Sequence, residues 1–393
     1  MDFRLLNKDT LPQAMDLWDY CFEKKDTPFF QWYFSEYCLK QNKILGGFKG
    51  MRLATMLHLN PYTLMLRGQT YRVPYIVGVA TDPVDRGQHV MGDLMKTAFT
   101  MLRAMRIPFV ILMPIYAGIY QPYGFRYTHF RKQYELPLSA LSFGGYDDSD
   151  YQLERIPTLS AKSLIAPVYE SAAARYNGYV VRDDRVWDNL LITAEQDHME
   201  TVIVKDGSDI LGYMLYNKED EVVNVQELMS VSAPVMYRLM SYLRGLAGTY
   251  KTLRYLAPCD DLMYLRLPDQ GMAPKIAPFM MGRIIDAALF LEGLAVPQAL
   301  LRDSLVLAIR DEDIPLNTML VKVSFTEEGI KLLNTLEDPD VLLDIGAFTQ
   351  LAFGAVSVET LRHAGFILTK DEEAARKLTL LFPVQHNYIN EYF

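Results

Sequence analysis

Val77-Gly78-Val79-Ala80-Thr81-Asp82-Pro83-Val84-Asp85-Arg86-Gly87-Gln88-His89-Val90-Met91-Gly92 is the stretch of this chain that decides its fold. Residues 73–81 are apolar and β-branched, which predicts a strand; a short polar loop follows over 82–88, and apolar spacing predicts a helix over about 89–105. A strand that feeds a helix through a short loop leaves backbone N–H groups free at the helix start. The helix dipole reinforces them, so the arrangement suits an anion such as a pyrophosphate. Arg86 adds positive charge there, and Gly87 permits a backbone turn that other residues resist. The strand edge at Val79, Ala80 and Thr81 can pair with the amides of an extended ligand and aim an N–H at a reacting carbonyl. The bland alternative, a plain strand-to-helix turn opening an amphipathic helix, is not excluded by the loop alone.

On the C-terminal side, residues 109–113 predict a buried strand, followed by Ile115-Tyr116-Ala117-Gly118-Ile119-Tyr120-Gln121-Pro122-Tyr123-Gly124-Phe125. On the N-terminal side, Thr10 and Pro12 open one helix and Thr27-Pro28 a second, through about residue 39. Strands are predicted over 44–49, 53–58, 62–67 and 69–71, with tight turns at Asn60-Pro61 and Arg67-Gly68. Two helices, an antiparallel set of strands, then strand–loop–helix–strand is the element order of the GNAT acetyltransferases. The loop resembles their motif A, Arg/Gln-x-x-Gly-x-Gly/Ala; here it reads Arg86-x-x-His89-x-Met91, with both glycine positions replaced. The 115–125 segment resembles the Ile-Tyr-x-x-Phe/Tyr-Gly-Phe/Tyr run after the fifth strand of that fold. In that run a tyrosine commonly lies near the CoA sulfur and protonates the leaving thiolate. Tyr120 takes that place, while Tyr123 and Phe125 read as core aromatics.

A second set of similar elements comes next. Residues 160–176 and 182–193 predict helices, and 199–205, 210–217 and 221–229 predict strands, with turns at Asp206-Gly207 and Glu219-Asp220. Ser232 and Pro234 open a helix through residue 246. The loop over 229–234 holds neither arginine nor glycine, so this copy is not expected to bind CoA. A third segment begins at Met281-Gly282-Arg283-Ile284-Ile285-Asp286, with strands over 304–309, 319–324 and 341–344 and helices over 349–353 and 357–364. Within it, Asp340-Val341-Leu342-Leu343-Asp344-Ile345 and then Leu351-x-Phe353-Gly354 are similar to a strand-then-helix segment of sterol-carrier-protein-like domains. The fold class expected is α/β (α+β), with tandem GNAT domains over 1–145 and 146–280 and a sterol-carrier-like domain over 281–393. This order resembles the enhanced intracellular survival (Eis) family over essentially the whole chain.

That resemblance implies an acetyl-CoA-dependent N-acetyltransferase acting on primary amines, aminoglycosides among them, and assembly as a hexamer. It places the cofactor on Val79, Ala80 and Thr81 of the strand and on Arg86, Gly87, Gln88, His89, Val90, Met91 and Gly92 of the loop. A Ser-Glu pair of the family pattern falls on Ile115 and Tyr116. It implies Tyr120 as general acid and the α-carboxylate of Phe393 as general base, in direct transfer within a ternary complex. Residues 388–393 hold three aromatics and an isoleucine, too apolar for a solvated tail, so docking is expected; Glu391 is the competing carboxylate. The alternative is a non-catalytic protein binding acyl-CoA or another small ligand, a reading favoured by His89, Met91 and Ile115.

Composition narrows the remaining classes. The 393 residues predict two to four domains at roughly 100–200 residues each. A net charge of −9 argues against nucleic acid, which needs a basic face. Three cysteines at unpatterned spacing predict no disulfide framework and a reduced, cytoplasmic home. Met1-Asp2-Phe3-Arg4 shows no signal-peptide core, and the most apolar run, 107–120, is too short for a bilayer and contains Pro108 and Pro114. The six histidines lack a metal-ligand pairing, so no metal is expected.

Overall fold

The computed structural model describes residues 1–144 and 151–392. The first stretch of chain forms β1 (Asp2–Leu5), α1 (Leu11–Cys21), α2 (Pro28–Trp32), β2 (Lys43–Lys49), β3 (Arg52–Leu66), β4 (Gln69–Thr81), α3 (Val90–Ala104) and β5 (Phe109–Leu112). Next come β6 (Arg126–Pro137), β7 (Gln152–Ile156), α4 (Lys162–Ala173), β8 (Tyr179–Val180), α5 (Asp184–Gln196), β9 (Glu200–Asp206), β10 (Asp209–Glu219), β11 (Val222–Ser230), α6 (Ala233–Arg244) and β12 (Thr252–Ala257). The last stretch holds β13 (Lys275–Ile284), α7 (Ala287–Glu292), β14 (Ser304–Arg310), β15 (Met319–Thr326), β16 (Gly329–Asn334), β17 (Val341–Asp344), α8 (Ile345–Phe353), α9 (Val358–His363), β18 (Ile367–Thr369) and α10 (Glu372–Leu381).

These elements fall into two compact units. One comprises Met1–His129, Phe279–Gln385 and the chain from Glu391; the other comprises Phe130–Pro278 and His386–Asn390. In the first unit, strands run in the order β1-β2-β3-β4-β5-β13, antiparallel except for β4 beside β5. Alternation along the strands sends side chains to opposite faces. Ile44, Met56 and Ala80 pack with Trp18, Phe30 and Phe34 of the α1–α2 region, whereas Leu45, Leu57 and Ile76 pack with Leu94, Ala98 and Phe99 of α3. The same unit carries a second sheet, β16-β15-β14-β17-β18. The other unit repeats the first sheet's logic with β7-β9-β10-β11-β12-β6. There Val202, Val204 and Met214 pack with α6, and Ile203, Tyr213 and Leu215 with α4 and α5.

Two sequence readings are corrected. Asn60-Pro61 is no turn: β3 runs unbroken through it, and Pro61 faces Pro74 across the hairpin. Both residues without an N–H therefore occupy one rung, and the ladder is disturbed once. Arg67-Gly68 does turn, with both residues at positive φ. Met281–Ile284, read as opening the third segment, instead pairs antiparallel with β5 and completes the first sheet. Arg283 shows why that strand is needed: fully buried, it chelates Asp311 at 2.7 and 2.9 Å and donates to the Tyr123 carbonyl at 2.7 Å.

Candidate active site

β4 is built to leave part of itself unpaired. Against β3 its register runs Thr55↔Thr81, Met56↔Ala80, then His58↔Val77, so Gly78 and Val79 together oppose Leu57 in a bulge. Gly78 has φ +57°, and a Cβ on it would stand 2.4 Å from the Trp18 ring. Only glycine satisfies both conditions. On the other edge, β5 accompanies β4 only through Tyr75↔Ile111 and Ile76↔Leu112. Beyond Ile76 the two parallel strands part, and the β5-facing edge from Val77 to Thr81 has no strand partner among the described pairings. The opposite edge is firmly held, with the Thr55 hydroxyl donating to the Ala80 carbonyl at 2.8 Å.

The loop after β4 is braced from below. Asp82 accepts from Val84 N–H at 3.1 Å and starts a 3-10 turn, Pro83–Asp85. Asp85 is buried beneath it and receives Lys49 Nζ and Arg52 Nη2, each at 2.6 Å. The hydrogen bond from Lys49, then that from Arg52, holds the Asp85 carboxyl below its ordinary range. Lys49 also donates to Gln88 at 2.9 Å, tying the loop's far side to the same anchor. Arg86 is exposed but turned back, its Nε on the Thr81 carbonyl at 3.1 Å and its Nη2 on Cys21 Sγ at 3.8 Å.

Gly87 (φ +74°) and His89 (φ +58°) are both left-handed, and His89 leads into α3 without a side-chain cap. The N–H groups of the first turn of α3 therefore have no capping side chain and face an open, glycine-lined approach, since a Cβ on Gly87 would touch nothing. His89 shows what the motif's glycine is for: the position demands αL backbone, which histidine adopts more readily than most residues. Val90 is buried, and Met91 packs against the Leu94–Phe99 cluster, so its side chain occupies core. Gly92 permits close approach, because a Cβ there would meet the Tyr123 hydroxyl at 2.8 Å.

Tyr120 joins that cluster, 9% exposed, with its ring edge-on to Phe125 at 5.9 Å. Burial pushes its hydroxyl up to about 12, so it stays a phenol at neutral pH. The turn carrying it is fixed by Arg283, whose guanidinium stands where a Cβ on Gly124 (φ +81°) would fall. Val79, Met91, Tyr120 and Tyr123 thus converge on a single core cluster. Ile115 and Tyr116 do not: they are 87% and 69% exposed. Phe393 lies outside the described residues. Sequence reading missed the Gly78 bulge, the Lys49–Asp85–Arg52 anchor and Arg283; only the left-handed requirement at Gly78 had a local signal, the glycine itself inside a predicted strand.

Similar proteins share this fold. Acetyltransferase (GNAT) domain families match residues 2–128 and 178–284, and a sterol carrier protein domain family matches residues 287–390. An uncharacterized N-acetyltransferase of Streptomyces griseus is 25% identical over 345 residues, spanning 81% of this chain and 82% of its own. Among solved structures, a probable N-acyltransferase from Enterococcus faecalis V583 superposes with a TM-score of 0.90 at 21% identity, covering all of both chains. A GCN5-related N-acetyltransferase from Anabaena variabilis does so at 0.86 and 18%, and Eis1 from Mycobacterium abscessus at 0.77 and 17%, again over both full chains. At such identities the likeness is one of fold. The protein is a GNAT acetyltransferase. Its two GNAT domains precede a C-terminal sterol carrier protein domain, and the chain shares the fold of Eis1 over its full length. Among the described residues no helix is long and apolar enough to cross a membrane.

Proposed function

We propose that the protein transfers acetyl from acetyl-CoA to primary amines of small molecules, aminoglycosides included, at the first GNAT domain. In this reading residues 1–145 are catalytic, 146–280 form a GNAT-like domain without a cofactor loop, and 281–393 carry the sterol-carrier-like domain, after the strand through Ile284 that completes the first sheet. The observation that carries it is the unpaired β4 edge from Val77 to Thr81, leading into the uncapped start of α3. The pantetheine amides of acetyl-CoA pair with Val79, Ala80 and Thr81, and its pyrophosphate sits against the N–H groups over Gly87–Gly92.

The amine attacks the thioester carbonyl within a ternary complex, and a backbone N–H of the β4 edge stabilises the oxyanion. The C–S bond breaks and the thiolate takes the Tyr120 proton. A phenol at about 12 is a weak acid, but a thiolate formed in the same water-poor surroundings gains basicity from the same burial. The ammonium proton goes to a carboxylate, assigned on the family resemblance to the α-carboxyl of Phe393. Titration calorimetry with acetyl-CoA, followed by a panel of amines and aminoglycosides with CoA release as readout, tests the reading; no acetyl-CoA binding would overturn it. Extending the C-terminus with a tag is expected to abolish turnover and spare acetyl-CoA affinity, and full activity in the tagged protein would move the base elsewhere.

A further inference from the structure

The second GNAT repeat contains the same opening as the first. β11 carries one extra residue against β10: Leu215 faces Glu227 and Tyr216 faces Val225, leaving Gln226 as a bulge. The parallel strand β12 accompanies β11 only through Val225↔Tyr255, so β11 continues from Gln226 to Ser230 without it. In β4 the bulge at Gly78 and Val79 lies close to the same point, with only Val77 between it and Ile76, the last residue paired to the neighbouring parallel strand.

In the second repeat a peptide reaches this point. The Asn177 N–H donates to the His386 carbonyl at 2.9 Å, and the Tyr388 N–H donates to the Asn177 carbonyl at 3.0 Å. The Tyr388 ring stacks on Tyr176 at 5.1 Å, and Arg131, on β6 beside β12, donates to the Ile389 carbonyl. The Asn390 amide then donates to the carbonyl of the bulge residue Gln226 at 3.0 Å and to Glu227 Oε2 at 2.8 Å.

Glu227 is costly to keep there. Its carboxylate and the Arg182 guanidinium are 1% and 0% exposed, joined by bonds of 2.8 and 2.7 Å. Arg182 lies over Tyr169 at 3.8 Å and near Trp187 at 4.8 Å, and the Tyr213 hydroxyl donates to Glu227. Burial works against the carboxylate's charge, yet Arg182, Tyr213 and Asn390 hold its proton affinity below the ordinary range. A buried pair of this kind is weak evidence of stabilisation, since apolar replacements often serve as well. Its geometry suits directional recognition of an amide.

We propose that the second GNAT-like domain is a receptor for the chain's own C-terminal segment. Its parted strands hold residues 386–390 where the first repeat leaves a strand edge open, and Asn390 is the positioning residue for the last three residues of the chain. Phe393 is three residues on, so its Cα is tethered within about 11 Å of the Cα of Asn390. The consequence for turnover rests on the acetyl-transfer reading above; the docking does not.

The test is an inversion of the amide–carboxylate pair in the full-length protein. Asn390→Asp sets a second carboxylate against Glu227. It is expected to raise hydrogen exchange of amides 387–392 at least tenfold and to lower kcat, with KM and affinity for acetyl-CoA unchanged. Asn390→Asp combined with Glu227→Gln again leaves one carboxylate and one amide beside Arg182, and is expected to restore both protection and kcat. Unchanged exchange in Asn390→Asp, or a double variant no better protected than the single, would overturn the proposal. Tail release and rescue without any change in kcat would establish the receptor and remove the tail from the chemistry, so the two failures are distinguishable.

Discussion

Tyr120 and His89 are the residues at which chemistry and backbone are most exposed to test. Tyr120 is a buried phenol whose proton burial holds, with the pKa pushed up to about 12. If it supplies the thiolate's proton, Tyr120→Phe should lower the chemical step by about 10²–10⁴ while leaving acetyl-CoA affinity nearly intact. Single-turnover kinetics beside calorimetry separates the two effects, and a loss below threefold would make Tyr120 a packing residue. His89 holds a left-handed backbone in which a side chain costs about 1–2 kcal/mol. His89→Gly should therefore be neutral or stabilising and keep acetyl-CoA affinity, whereas His89→Val should destabilise by more than about 1 kcal/mol. Urea midpoints for the pair decide whether the glycine of the family motif is a backbone requirement.

At the scale of the element, the Gly78 bulge lies just past the point where β4 parts from β5. A methyl group there meets the Trp18 ring at 2.4 Å and sits on backbone at φ +57°. Gly78→Ala should cost about 1–3 kcal/mol and weaken acetyl-CoA binding, because straightening the bulge would turn the 77–81 edge away. Calorimetric affinity measured alongside thermal melting checks this; reduced stability with unchanged affinity would separate the bulge from the cofactor edge. The sequence showed this element as a strand, and Gly78 stood in it as a possible bulge signal. What it did not show was the ring that forbids a side chain, since Trp18 lies sixty residues away in the chain.

At the scale of the molecule, stability should carry the signature of a histidine that cannot be charged. His58 is fully buried beside Tyr33 (2.8 Å to Nδ1) and Trp18, and burial lowers its pKa to about 3. Between about 3 and the ordinary histidine value near 6.5, the unfolded chain binds a proton that the folded chain refuses. Stability therefore falls as pH drops through that window, by about 2 kcal/mol from pH 7 to pH 5. His58→Gln should flatten that part of the slope, and denaturant midpoints at both pH values measure it; parallel slopes would exclude His58 as the cause.

The sequence by itself determined the local features. Apolar periodicity marked α1, α3, α5 and α6 and most of the long strands, and the quoted loop identified the one strand-to-helix turn with arginine and glycine. Those signals are written within a few residues of one another, so no partner is needed to read them. Tertiary structure alone decided that Pro61 passes through a strand, that Met281–Ile284 completes the sheet begun some 280 residues earlier, and that Arg283 pins the turn of Tyr120. It also decided where the tail docks. An apolar ending predicts that residues 388–393 bind something. The recognition of Asn390 by Glu227 depends on a bulge, a buried ion pair and a strand that leaves its neighbour, none of which has a local pattern in the chain. Pairing between distant segments is set by shape and by unsatisfied polar atoms, and these exist only once the chain has folded.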